Sequence, residues 1–155
     1  MAKVADIIAV NISLEINSEM ALFILLAADG SINRMGTGTV SNKERDLFIG
    51  VASEPLFARL MAHLNDEMLK FMGGYDVPDK RGAFCKLSIG LQFADGRTNG
   101  FGVTYGAESK GPPREIGVFV KEAVSITQPW YAAQKKMTGQ KEAPPVEKKP
   151  WWKAW

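Results

Sequence analysis

The sequence predicts an α+β fold: an antiparallel sheet of about five to six strands, built from two β-hairpins, with two main amphipathic helices packed on it. Three observations predict it. Apolar residues alternate with polar ones in the first strand, from Ile7 to Ile16; two Asp-Gly doublets, Asp29-Gly30 and Asp95-Gly96, each separate a pair of apolar runs; and two segments carry apolar residues at the helical period.

From Ile7 to Ile16, Ile8, Val10, Ile12, Leu14 and Ile16 fall on one side and Asn11, Ser13 and Glu15 on the other, the pattern of a half-buried strand. Asn17-Ser18-Glu19 supplies turn chemistry. The run from Ala21 to Ala28 is apolar on both sides and predicts a central strand; Asp29-Gly30 then favours a hairpin that returns along Ser31–Gly38. Leu47–Ala52 is short and apolar, and is assigned to a strand.

Ser53 offers a hydroxyl to cap a helix, and Pro55 suits a first helical turn. The helix is predicted to run to Met72, with Leu56, Phe57, Leu60, Met61, Leu64, Met68, Phe71 and Met72 on one arc. Gly73-Gly74 ends it, and residues 76–82 form an exposed loop. Ala83–Ala94 and Arg97–Gly106 make the second hairpin around Asp95-Gly96. Gly111-Pro112-Pro113 introduces a second helix with Ile116, Phe119, Val120, Ala123 and Thr127 on its buried face; Pro129 ends or kinks it, and Trp130-Tyr131 packs over the sheet edge. A final turn reaches Lys136.

The two hairpins share Ala-Asp-Gly-x-x-Asn-x-apolar-Gly, at residues 28–36 and 94–102. This echo admits a ββα pseudo-repeat, or independent use of common turn chemistry.

With 155 residues, 46% hydrophobic and 23% charged, the chain suits one domain over residues 1–137, followed by a flexible Lys/Pro tail over 138–155 with a Trp-rich tip. Its longest apolar stretch, Met20–Ala28, falls short of the roughly 20 residues of a transmembrane helix. A single cysteine, Cys85, excludes an intramolecular disulfide and points to a reducing cytoplasm, as in a small bacterial interaction protein. The net charge of +2 is concentrated late in the chain, so no basic stripe nominates DNA or RNA.

Phosphate-cradling, dinucleotide and nucleophile-elbow motifs are absent from the sequence. His63 and Cys85, one of each, are read as a surface or rim histidine and a small buried cysteine rather than a catalytic pair. His63 with Glu67 supplies too few ligands for zinc, and Asp76 and Asp79 lack the acidic ladder of a calcium loop. No metal or cofactor is expected. Lys110-Gly111-Pro112-Pro113-Arg114 is a poor anion cradle, because its prolines have no N–H to donate.

The leading expectation is a non-enzymatic binding or adaptor domain acting through protein–protein contacts, including Trp151, Trp152 and Trp155 of the tail. These indoles suit a partner protein, a second subunit in a weak homo-oligomer, or the chain's own surface. A weak, reversible membrane contact is a further option for them. Two alternatives stand beside it: a small enzyme or ligand binder using Asp29 and Asp95 as paired carboxylates, and single-stranded nucleic-acid binding by Phe93, Phe101 and Tyr105.

Overall fold

The computed structural model describes residues 4–39, 44, 46–71, 73–78, 80–108 and 111–137. Among these, seven strands form one sheet: β1 (Ile7–Ile16), β2 (Glu19–Ala27), β3 (Ser31–Gly36), β4 (Phe48–Val51), β5 (Gly73–Asp76), β6 (Phe84–Phe93) and β7 (Thr98–Gly106), in the spatial order β4-β3-β2-β1-β6-β7-β5. Helix α1 spans Leu56–Met61 and α2 spans Arg114–Met137. The α+β class holds. Two corrections apply: there are seven strands rather than five to six, and the sheet is mixed, because β5 pairs with β7 in parallel.

The central pairing follows from the alternation. Ile12 lies between Ile24 on β2 and Ile89 on β6, and Leu14 lies between Leu22 and Leu87. These residues share one face, and all are buried. Helices α1 and α2 cover that face: Leu56, Leu60, Ile116, Phe119, Val120 and Ala123 join the same apolar cluster as the strand residues. Among the described residues no helix is long and apolar enough to cross a membrane.

The Asp-Gly doublets do reverse the chain. Their geometry is a turn in which only the glycine takes positive φ, +95° at Gly30 and +89° at Gly96, while the aspartate does not. In each, the glycine N–H donates across the turn, to Ala27 O and to Phe93 O, both at 3.0 Å. This is the longer hairpin turn with a left-handed glycine, rather than the two-residue form with two positive φ angles. That two-residue form occurs instead between β1 and β2, where Asn17 (φ 51°) and Ser18 (φ 68°) are both left-handed.

The hairpin echo ends at the turns. Leu25 and Leu91 occupy equivalent motif positions, yet Leu25 lies opposite Asn11 on the outer face and Leu91 lies opposite Val10 on the core face. The two hairpins flank β1 on opposite sides with their turns at the same end, so superposing one on the other requires a half-turn about the strand axis. That operation exchanges the faces, whereas both helices lie on one. The elements that follow differ too, since β3 leads to β4 and β7 leads directly to α2.

Three helical expectations are also revised. The predicted single helix to Met72 is two pieces, α1 and a 3-10 helix at Asp66–Phe71, with Pro55 at the N-cap position and no side-chain cap from Ser53. Asn65 interrupts the run: its Oδ1 accepts the Met68 N–H at 3.1 Å, the local bonding that favours a new helix start over continuation. Gly73-Gly74 does not merely stop that helix but begins β5, an edge strand hidden from periodicity by its glycines. Pro129 lies inside α2, which continues to Met137; the carbonyl left without its helical N–H partner is that of Ser125, an exposed residue that water can satisfy.

Candidate binding surface

Asp29 and Asp95 do lie at the same end of the sheet, since Ala27 and Phe93 both pair with the start of β1. They are not brought together. Their turns are separated by three strand spacings, about 14 Å at the usual 4.8 Å per strand. Each carboxylate accepts a 2.9 Å hydrogen bond from the backbone two residues on, Asp29 from the Ser31 N–H and Asp95 from the Arg97 N–H. Those backbone bonds hold both carboxylates below the usual range. Both side chains face solvent, and each serves its own turn.

Phe93, Phe101 and Tyr105, the rings named for base stacking, are each no more than 2% exposed. Their side chains belong to the core, and Tyr75 covers Phe101 with ring centroids 5.4 Å apart. His63 is a rim residue, 3.6 Å from Glu122. Cys85 is fully buried beside Tyr105, and burial pushes its thiol up to about 11. Asp76 bonds the Lys80 ammonium and the Thr104 hydroxyl; Asp79 lies outside the described residues, as do Trp151, Trp152 and Trp155. No cluster of His, Cys, Asp or Glu among the described residues could hold a metal ion.

The most elaborate polar arrangement was not anticipated. Arg34 of β3 is fully buried beneath α2, with its five N–H groups shared among four oxygens. Nε and Nη2 donate to Gly36 O at 3.2 and 2.9 Å, Nη1 to Val124 O at 3.3 Å and Thr127 Oγ1 at 2.9 Å, and Nη2 also to Gln128 Oε1 at 3.1 Å. Two cations lie over the Tyr131 ring: Arg34 Cζ and Lys135 Nζ are each 4.5 Å from its centroid. Its hydroxyl accepts the Gly36 N–H at 3.0 Å and donates to Glu44 Oε1 at 2.9 Å; Lys135 Nζ reaches the same oxygen at 2.7 Å. Desolvation lowers Arg34 to about 10. With every donor engaged by protein, this network locks α2 onto β3 and leaves no hydrogen-bonding capacity on Arg34 for a ligand.

What remains accessible is the outer sheet face and its β4 edge. Its β1–β6–β7 side carries small or polar residues, among them Asn11, Ser13, Ser88, Gly90, Gly100 and Gly102. On the other side Phe23 and Leu25 of β2 are half-buried and Ile49 and Val51 of β4 are 71% and 72% exposed, with Asn33 of β3 lying between Leu25 and Ile49 and Ser31 lying opposite Val51. Among the described residues strand β4 is terminal in the sheet, and it contains no charge, proline or bulge, the devices that normally blunt an edge. The opposite edge strand, β5, carries Asp76 and runs into Pro78.

Beside β4, on the helical side, a cleft of about 220 Å³ is bounded by Ala52, Glu54, Leu56, Ile126, Pro129 and Trp130. Trp130 does pack over the sheet edge. A Cβ added at Gly50 would lie 3.0 Å from the indole, so the bare backbone at that position lets the ring approach β4 closely. A smaller hollow of about 110 Å³, beside Gly30, Ser31 and Pro55, includes neither candidate aspartate.

Compared with known proteins, the chain matches no family model and no curated relative.

Proposed function

We propose that this chain is a non-enzymatic binding module that takes an extended apolar peptide segment of a partner protein by strand addition at β4. The observation that carries this reading is the conjunction of an unguarded edge strand, two outward apolar side chains on it, and a cleft on its other side. An added strand sends alternate side chains to opposite faces. One set would rest on Ile49 and Val51 and the other would enter the cleft beside Trp130, while main-chain hydrogen bonds supply affinity that depends little on sequence. The separation of Asp29 from Asp95 removes the geometric support for a carboxylate pair. A single buried cysteine suits a reducing compartment, and we place the protein in the cytoplasm on that ground.

The test is selection of a random peptide library on the immobilised full-length protein, followed by affinity measurement against Ile49→Lys/Val51→Lys and Trp130→Ala. Charge on β4 and loss of the cleft wall should each weaken selected peptides by at least about tenfold, in keeping with the cost of truncating a binding hot spot. Peptides that bind all three proteins equally would show that the site lies elsewhere.

A further inference from the structure

We propose that the site at β4 has a ligand within the same chain: the C-terminal segment Trp151-Trp152-Lys153-Ala154-Trp155. This inference rests on the reading of β4 as a strand-accepting edge and names an occupant for it.

Reach, conformation and chemistry all favour this segment. Helix α2 ends at Met137, and Trp130 is two helical turns back along it, so the tail leaves the fold about 10 Å from the cleft wall at 1.5 Å per residue. Thirteen residues lie between Met137 and Trp151, so the two Cα atoms can be at most about 46 Å apart, ample for doubling back to β4. Pro144, Pro145 and Pro150 oppose helix in the tether, and Pro150 biases Lys149 towards extended backbone, the conformation that strand addition uses. In an extended pentapeptide Trp152 falls on one face and Trp151 with Trp155 on the other. That division matches a site with a cleft on one side and the Ile49–Val51 surface on the other.

Tethering sets the magnitude. At the effective concentration of about 1 mM that short linkers give, a segment with an intrinsic Kd of only about 0.1 mM occupies its site roughly nine-tenths of the time. A partner peptide competing for β4 then binds about tenfold more weakly than it would to an empty site. The tail is thereby a threshold that partners must exceed.

Two measurements on the full-length chain test this. With a nitroxide on Ala154→Cys and Cys85 too buried to label, amide signals of residues 48–54 should broaden selectively, and Ile49→Lys/Val51→Lys should abolish the effect. Uniform broadening, or broadening only between molecules in a mixed-isotope sample, overturns the proposal. Separately, peptides selected on β4 should bind Trp151→Ala/Trp152→Ala/Trp155→Ala about tenfold more tightly than the parent chain. Equal affinities refute the internal ligand while leaving the site intact; no binding at β4 by either protein refutes the site itself.

Discussion

Replacing Arg34 separates what the buried fork contributes by bonding from what it contributes by filling space. Arg34→Ala removes a fully buried side chain, opens a cavity between β3 and α2, and leaves Gly36 O without the two N–H donors it has at 2.9 and 3.2 Å. The cavity left by a large buried side chain, together with one orphaned buried carbonyl, costs about 3–5 kcal/mol. At roughly 4 °C per kcal/mol for a domain of this size, Tm should fall by about 12–20 °C. Arg34→Met restores most of the volume and needs no hydrogen bonds. Thr127 still donates to Ala123 O at 2.8 Å, Gln128 is exposed and can turn to water, and the Val124 carbonyl keeps its place in the helix, so Gly36 O is the acceptor most affected. One orphaned buried carbonyl predicts about 1–2 kcal/mol. Urea denaturation of both variants, followed by far-UV circular dichroism, gives the two values. A methionine variant as unstable as the alanine variant, or an alanine variant within about 1 kcal/mol of the parent, would refute this division.

Further outcomes follow from the same structure. Asp29→Ala and Asp95→Ala should each cost about 0.5–1 kcal/mol through their turn bonds, and the double variant should be additive to within about 0.5 kcal/mol; a larger coupling in a double-mutant cycle would mean that the carboxylates communicate. Cys85, raised from 9.0 to about 11, stays protonated in the fold where the unfolded thiol ionises. The unfolded state then holds fewer protons, so stability falls as pH rises from about 9 to about 11. Tyr105 and Tyr131, whose hydroxyls burial also raises, add to the decline from about pH 10, and Arg34, lowered to about 10, opposes it from there; Cys85→Ala should therefore flatten the decline most cleanly below pH 10, and an unchanged slope between pH 9 and 10 would remove the thiol as its cause. Native Cys85 should also resist alkylation until the protein unfolds, as read by mass spectrometry.

Much of the fold was legible because strong local signals coincided with tertiary need. Alternation in β1 from Val10 to Ile16, the chain reversals at both Asp-Gly turns, and the buried face of α2 each read correctly from sequence; Ile8, assigned to the buried side of β1, is 38% exposed, because a register shift between Ile7 and Ala9 puts Ile7 in the core instead. β5 was not legible, since Gly73 and Gly74 have no side chains to show a period and the strand exists only through pairing with β7. The break at Asn65 was masked because Leu64 and Met68 remain buried on either side of it, preserving an apolar arc across two shorter pieces. Arg34 was overlooked for a different reason. It is in phase with Ile32 on β3 and therefore on the core face, while Thr127, Tyr131 and Lys135 recur every four residues along the buried side of α2. A charged residue in an apolar phase, matched by a polar stripe on a helix, was the available signal. Ile49 and Val51 were identified as strand residues, but their exposure could not be inferred without knowing that β4 is terminal and that both helices occupy the opposite face.

The pairing of β1 with β6 also has consequences during synthesis. Ile7 meets Phe93 and Ile16 meets Cys85, so β1 must wait for more than half the chain before its second neighbour emerges from the ribosome. Until then the β1–β4 sheet presents a long bare flank with fully apolar Val10, Ile12 and Leu14 beside it. Nascent polypeptides with such unpaired borders are prone to associate with one another. Slowing elongation before residue 93 should therefore increase aggregation, whereas the same delay after β6 has emerged should do little.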